Sequence, residues 1–116
     1  MTRGQRRVWI ALEEQNRRRA RQPKGPIAPA NLNAVDNSTL IELTWQDKSA
    51  DELGFRIYRK VEAGAFGLWQ TVGPSVTLVQ DAGVVATVLY SYYVTAYNAL
   101  GESAPSNISS VRFGAA

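Results

Sequence analysis

Residues 89–98 read LYSYYVTAYN, and their alternation decides the fold. Side chains of an extended strand point to opposite faces in turn, so Tyr90, Tyr92, Val94 and Ala96 share one face of this segment. Tyrosine, valine and threonine suit a pleated, half-buried surface. The same period recurs upstream. In TLIELTW (39–45), Ile41, Leu43 and Trp45 fall on one face and Glu42 and Thr44 on the other; in GFRIYRK (54–60), Phe55 and Ile57 point inward. FGLWQTV (66–72) and SVTLVQD (75–81) follow, divided by the turn signal Gly73-Pro74. ANLNAV (30–35) and NISSVRF (107–113) complete the set. The expectation is an all-β fold, a seven-strand antiparallel sandwich over residues 30–113 with a short tail at 114–116. No useful helical period follows residue 25, and no internal repeat is visible.

The rest of the chain narrows the chemistry. At 116 residues there is room for one domain with an adequate core. The chain has no cysteine, hence no disulfide, thiolate metal site or thiol nucleophile. It has no histidine, which removes the usual general base and the commonest transition-metal ligand. The net charge of +3 conceals a split. Residues 1–25 carry eight basic side chains against Glu13 and Glu14, a net +6; residues 26–116 carry five basic against eight acidic, a net −3. Such asymmetry points to a basic arm that meets an acidic surface.

That arm, residues 1–22, has helix signals from about Gln5 to Arg21. Thr2 to Gln5 has capping-box spacing, Glu13 and Glu14 precede Arg17 and Arg18 by four residues, and Pro23 ends the run. An isolated helix of about 15 residues is marginal in water, so docking would supply its order. Its longest apolar run, Val8 to Leu12, is too short for a secretory signal, and two glutamates follow it. A mitochondrial transit peptide would be acid-poor and serine-rich, unlike this segment, and no run approaches a membrane span. Residues 23–29, with three prolines and Gly25, form a stiff spacer.

Four pieces of the sequence together resemble a fibronectin type III domain of the bacterial and phage style. They are PANL (29–32), LTWQDKSADELGFRIYRK (43–60), QDAGVVATVLY (80–90) and YSYYVTAYNALGESAPSN (90–107). The resemblance covers roughly Ile27 to Phe113. It implies that Trp45 is the core tryptophan and that Tyr90 is the tyrosine corner, whose phenol spans back to the preceding loop. It also matches Asn98, Gly101, Glu102 and Ser103 to the turn between the last two strands. Ala86-Thr87 departs from the Pro-Gly common at that point in the family, which implies a looser loop. The integrin-binding Arg-Gly-Asp tripeptide is missing, so that function is not implied.

Trp45, Phe55, Ile57, Tyr90, Tyr92 and Val94 are therefore read as structural core. Asp47, Asp51 and Glu52 lack the regular alternation of a calcium loop and are read as turn-forming and solvent-facing. Tyr93, Tyr97 and Trp69 are candidates for an exposed aromatic binding face, weighed against the commonness of tyrosine on the outer, half-buried surface of a sheet. A sandwich of this length has no spare chain for a catalytic cleft, and no enzyme, cofactor or metal is expected. The partner-binding residues are placed in the arm: Arg6, Arg7, Val8, Trp9, Leu12, Arg17, Arg18, Arg19 and Arg21. Three readings of it compete: an anchor in a protein groove, a nucleic-acid contact, and a solvated tail. The anchor accounts for the apolar patch and the arginines together, since tryptophan and arginine are the common interface hot spots. The plan of one sandwich on a short arm is similar to accessory virion proteins of tailed bacteriophages. That gives the expected setting: a structural protein made in the host cytoplasm and incorporated in a virion, touching other protein subunits and no membrane. The alternative is a spacer or binding module of a secreted carbohydrate-active enzyme or adhesin.

Overall fold

The computed structural model describes residues 25–114. The basic arm expected over residues 1–22, with its helix, lies outside them, as do the start of the 23–29 spacer and the end of the tail. Eight strands occur among the described residues: β1 (Ala30–Asp36), β2 (Ile41–Gln46), β3 (Gly54–Val61), β4 (Gly67–Val72), β5 (Leu78–Asp81), β6 (Leu89–Asn98), β7 (Gly101–Glu102) and β8 (Ser109–Arg112). They form two antiparallel sheets, one ordered β1-β2-β5 and one ordered β4-β3-β6-β7, with β8 also on β6. The strand beyond the expected seven is β7. It is the returning limb of a tight turn, pairing Glu102 with Tyr97 and Gly101 with Asn98. Two residues are too short to show alternation.

The alternating residues meet between the sheets. Leu32, Ala34, Ile41, Leu43, Trp45 and Val79 come from the first sheet, and Phe55, Ile57, Tyr90, Tyr92, Val94 and Ala96 from the second. The indole of Trp45 meets the Phe55 ring edge-on at 5.6 Å between centroids. Its Nε1 is buried without a hydrogen-bond partner among the described residues, so its role there is apolar. Gly54 admits no side chain: a Cβ would fall 2.3 Å from the Val72 carbonyl oxygen and 2.9 Å from the Tyr97 ring.

One flank of the sandwich is closed by side chains. The Asn107 amide accepts from the Leu32 N–H (2.8 Å) and donates to the Leu32 carbonyl (3.0 Å), and Ser109 Oγ accepts from the Ala34 N–H (3.0 Å). These bonds imitate a strand partner for β1. A bulge at the start of β1 sits where Asn31 has φ 56°, a left-handed conformation asparagine tolerates.

Pro26 and Pro29 are buried, so the second half of the spacer lies on the sandwich rather than apart from it. Gly25 packs on Gly101 and Glu102, where a Cβ would lie 3.1 Å from backbone atoms. At the other end of the strands, Phe113 is buried, its carbonyl accepts from the Thr87 N–H, and the Gly114 N–H donates to Asp36. The described chain thus enters at one pole and leaves at the other.

Candidate functional site

β6 carries tyrosines on both of its faces, and their environments differ. On the inner face the Tyr90 hydroxyl accepts from the Val85 N–H at 2.8 Å, pinning the loop before β6. Tyr92, fully buried, donates to Asp81 at 2.8 Å. Asp81, at the end of β5 and 1% exposed, also accepts from Arg59 of β3 at 2.7 Å and from the Gly83 N–H at 3.1 Å. The Arg59 guanidinium lies 5.4 Å from the Tyr90 ring centre and 5.5 Å from that of Trp69. A buried carboxylate is tolerable only when paired and hydrogen-bonded, and this one joins the two sheets. Burial and the Asp81 carboxylate both hold the Tyr92 phenol well above its ordinary value, keeping it a donor.

The outer face holds a second cluster. Tyr58 and Tyr93, opposite each other in the β3–β6 ladder, stack at 4.7 Å, and Phe66 meets Tyr93 edge-on at 4.8 Å. Lys60 lies over Phe66 at 5.0 Å and Arg56 over Tyr97 at 4.2 Å. Glu102 organises this face by accepting from Tyr58, Thr95 and Arg56. Burial pushes the Glu102 carboxyl up, but the hydrogen bonds from Thr95 and Tyr58 and the charge of Arg56 outweigh it, and its pKa lies below the usual value. Burial, then the hydrogen bond and charge of Glu102, raise the Tyr58 phenol.

Tyr93, Tyr97 and Trp69 do not share a face. Regular pairing would set Trp69 opposite Tyr58, on the outside. Instead Ile57 pairs with Gln70 and Tyr58 with Leu68, leaving Trp69 as the extra residue of a bulge. It turns inward, meeting Tyr92 edge-on at 6.2 Å. There it borders an open groove of about 320 Å³, lined also by Arg59, Val61, Gly64, Ala65 and Leu68.

The remaining candidates divide plainly. Trp45, Phe55, Ile57, Tyr90, Tyr92 and Val94 are all buried in one core. Arg6, Arg7, Val8, Trp9, Leu12, Arg17, Arg18, Arg19 and Arg21 lie outside the described residues. Asp47 accepts from the Ser49 N–H, Asp51 from Ser49 Oγ and Glu52 from the Ser75 N–H. Among the described residues no three acidic side chains gather in a metal-binding group. Thr87, in the loop expected to be loose, is tied at both ends: its N–H donates to Phe113 and its carbonyl accepts from Arg112 at 2.7 Å. Those bonds hold a β-branched residue at φ 69°, the left-handed region that favours glycine.

No family model matches the chain, and no curated protein matches it. Solved structures do. A domain of the beta-1,2-glucanase from Parabacteroides distasonis is similar at 25% identity and a TM-score of 0.69, over 78% of this chain and 13% of that one. The Fn3-like protein from Clostridium thermocellum is similar at 23% identity and a TM-score of 0.64, over 78% of this chain and 96% of that one. The FN1-FN3 domains of chicken CNTN1 give 18% identity and a TM-score of 0.67, over 78% and 33%. The fold is that of a fibronectin type III domain. Within it, Tyr90 makes the tyrosine-corner contact and Trp45 is the core tryptophan. The Arg59–Asp81–Tyr92 network and the Glu102 cluster escaped the sequence reading. Asp81 carried one faint signal, an acid at the inward position of SVTLVQD, two residues after Val79.

Proposed function

We propose that the protein is a non-enzymatic interaction module: residues 1–22 grip a larger assembly, and the fibronectin type III-like sandwich stands off from it. The observation that supports this most is the separation of the poles, with Gly25 against Gly101 and Glu102 at one end and Gly114 against Asp36 at the other. A domain entered at one pole and left at the other can hold its flanking segments apart, which supports a spacer role. In the arm, Val8, Trp9 and Leu12 fill an apolar crevice while Arg6, Arg7, Arg17, Arg18, Arg19 and Arg21 pair with acidic groups around it. The assembly we favour is a tailed-phage virion, with its structural proteins as partners; the tryptophan and arginines of the basic arm beside the sandwich support that setting. The likeness to part of a glucanase favours a second setting, a spacer module attached to a carbohydrate-active enzyme.

The test is retention by the purified parent assembly. Deleting residues 1–22 is expected to abolish retention, and Trp9→Ala to remove most of it, while added salt has the smaller effect. Retention insensitive to Trp9→Ala but falling with log salt at about −0.9 per phosphate contact would instead establish a nucleic-acid arm. Normal retention after the deletion would contradict the proposal.

A further inference from the structure

We infer that β4 is a self-association edge, through which two copies of this chain pair strand to strand about a two-fold axis. Sheet edges offer rows of unpaired N–H and C=O groups, and proteins blunt them with charge, brevity, bulges or cover. The other edges of this sandwich are managed in those ways. Asn107 and Ser109 occupy the edge of β1 with their side chains, and they bring the β8 side of the second sheet against it. Gly25 covers β7. β5 is four residues long and ends in the buried, ion-paired Asp81. β4 has six residues, GLWQTV, and no charge, and it ends its sheet with one side unpaired among the described residues. Its bulge does not blunt it: the extra residue, Trp69, turns beneath the sheet and leaves Gln70, Thr71 and Val72 in register with β3.

The occupant follows from charge. A two-fold contact sets a patch against its own image, so a charged edge would meet its like. β4 has nothing to repel its copy. On its neighbour β3, Arg56 and Arg59 are already paired with Glu102 and Asp81, and Lys60 lies over the Phe66 ring. Beside the edge, Leu68 is 58% exposed and Val61 43%, both bordering the groove over Trp69. Association would bury that apolar border while backbone hydrogen bonds set the register, the combination that strand addition uses. This inference does not depend on the arm. Loss of anchoring and loss of self-association are separate readouts.

The full chain provides its own clean background, having no cysteine. Opposed residues of an antiparallel pair have Cα atoms about 4.5–5.5 Å apart, within disulfide reach. On mild oxidation, Gln70→Cys or Thr71→Cys is expected to form covalent dimer roughly tenfold or more faster than Thr39→Cys in the exposed β1–β2 turn. Sedimentation equilibrium of the unmodified chain should show a reversible monomer–dimer transition, abolished by the pair Gln70→Lys and Thr71→Lys with the thermal midpoint of the monomer retained. A chain that stays monomeric throughout overturns the inference. So does a dimer indifferent to the two lysines, which would put the contact on another surface, or cross-linking no faster in β4 than at residue 39.

Discussion

The two faces of β6 teach more when compared than either does alone. Each bears two tyrosines, Tyr90 and Tyr92 inward and Tyr93 and Tyr97 outward, as the two-residue period of an extended strand requires. On the inner face, each hydroxyl has an assigned partner: Val85 for Tyr90 and Asp81 for Tyr92. On the outer face, the Tyr93 and Tyr97 hydroxyls make no hydrogen bond among the described residues, and their rings pack on Tyr58, Phe66 and Arg56. The residue type is the same, but the physical role follows from what lies opposite. Inside, low polarity makes an unpaired group costly, so the pairing fixes one structure. Outside, water can replace a lost partner, so the surface tolerates change.

The largest break in that comparison should come at Asp81. Asp81→Ala leaves Arg59 and Tyr92 without their shared acceptor, and urea unfolding should show a loss of about 3 kcal/mol, the lower end for a broken buried pair because Arg59 is partly exposed. Four matched variants come next. Tyr90→Phe and Tyr92→Phe should each cost about 1–2 kcal/mol, whereas Tyr93→Phe and Tyr97→Phe should stay within about 0.5 kcal/mol. Equal losses on both faces would erase the distinction. A gain is expected at Thr87, which pays for its backbone hydrogen bonds with a left-handed conformation. Thr87→Gly removes that strain of about 1–2 kcal/mol but adds unfolded-state entropy, and the net rise in stability should be up to about 1 kcal/mol by thermal unfolding.

The smallest effect belongs to surface carboxylates. N–H groups of Ser38 and Gly114 hold Asp36 below its ordinary pKa, the Leu89 N–H and the charge of Arg112 do so for Glu62, and Glu102 is also lowered. A depressed folded pKa contributes stability above the unfolded value that is lost as pH falls through the folded one. The urea midpoint should therefore be level from about pH 7 to 5 and decline below about pH 4.

How far the sequence could be read follows the same division. Alternation of apolar side chains made the core legible. Burial takes every second position of β2, and on β6 the inward Tyr90, Tyr92, Val94 and Ala96 are all buried, although Ser91 and Thr95 on the outer face are buried too. The alternation failed where the backbone leaves that period. The bulge reversed the side of Trp69, and β7 is too short to have a period at all. The Asp81 network was hidden for another reason: it joins β3, β5 and β6, and no local pattern announces a long-range pairing of one arginine with one aspartate. The left-handed Thr87 shows the reverse case. Its departure from Pro-Gly suggested looseness, yet the end of the chain holds it in place.

If stability resides in the sandwich and attachment in the arm, equilibrium unfolding of the full chain beside a chain of residues 25–116 tests that division most directly. Coincident urea midpoints and equal denaturant slopes are predicted, since the slope follows the surface exposed on unfolding. A lower midpoint with a shallower slope in the shorter chain would contradict it, because residues 1–24 would then be buried against the sandwich they are proposed to tether.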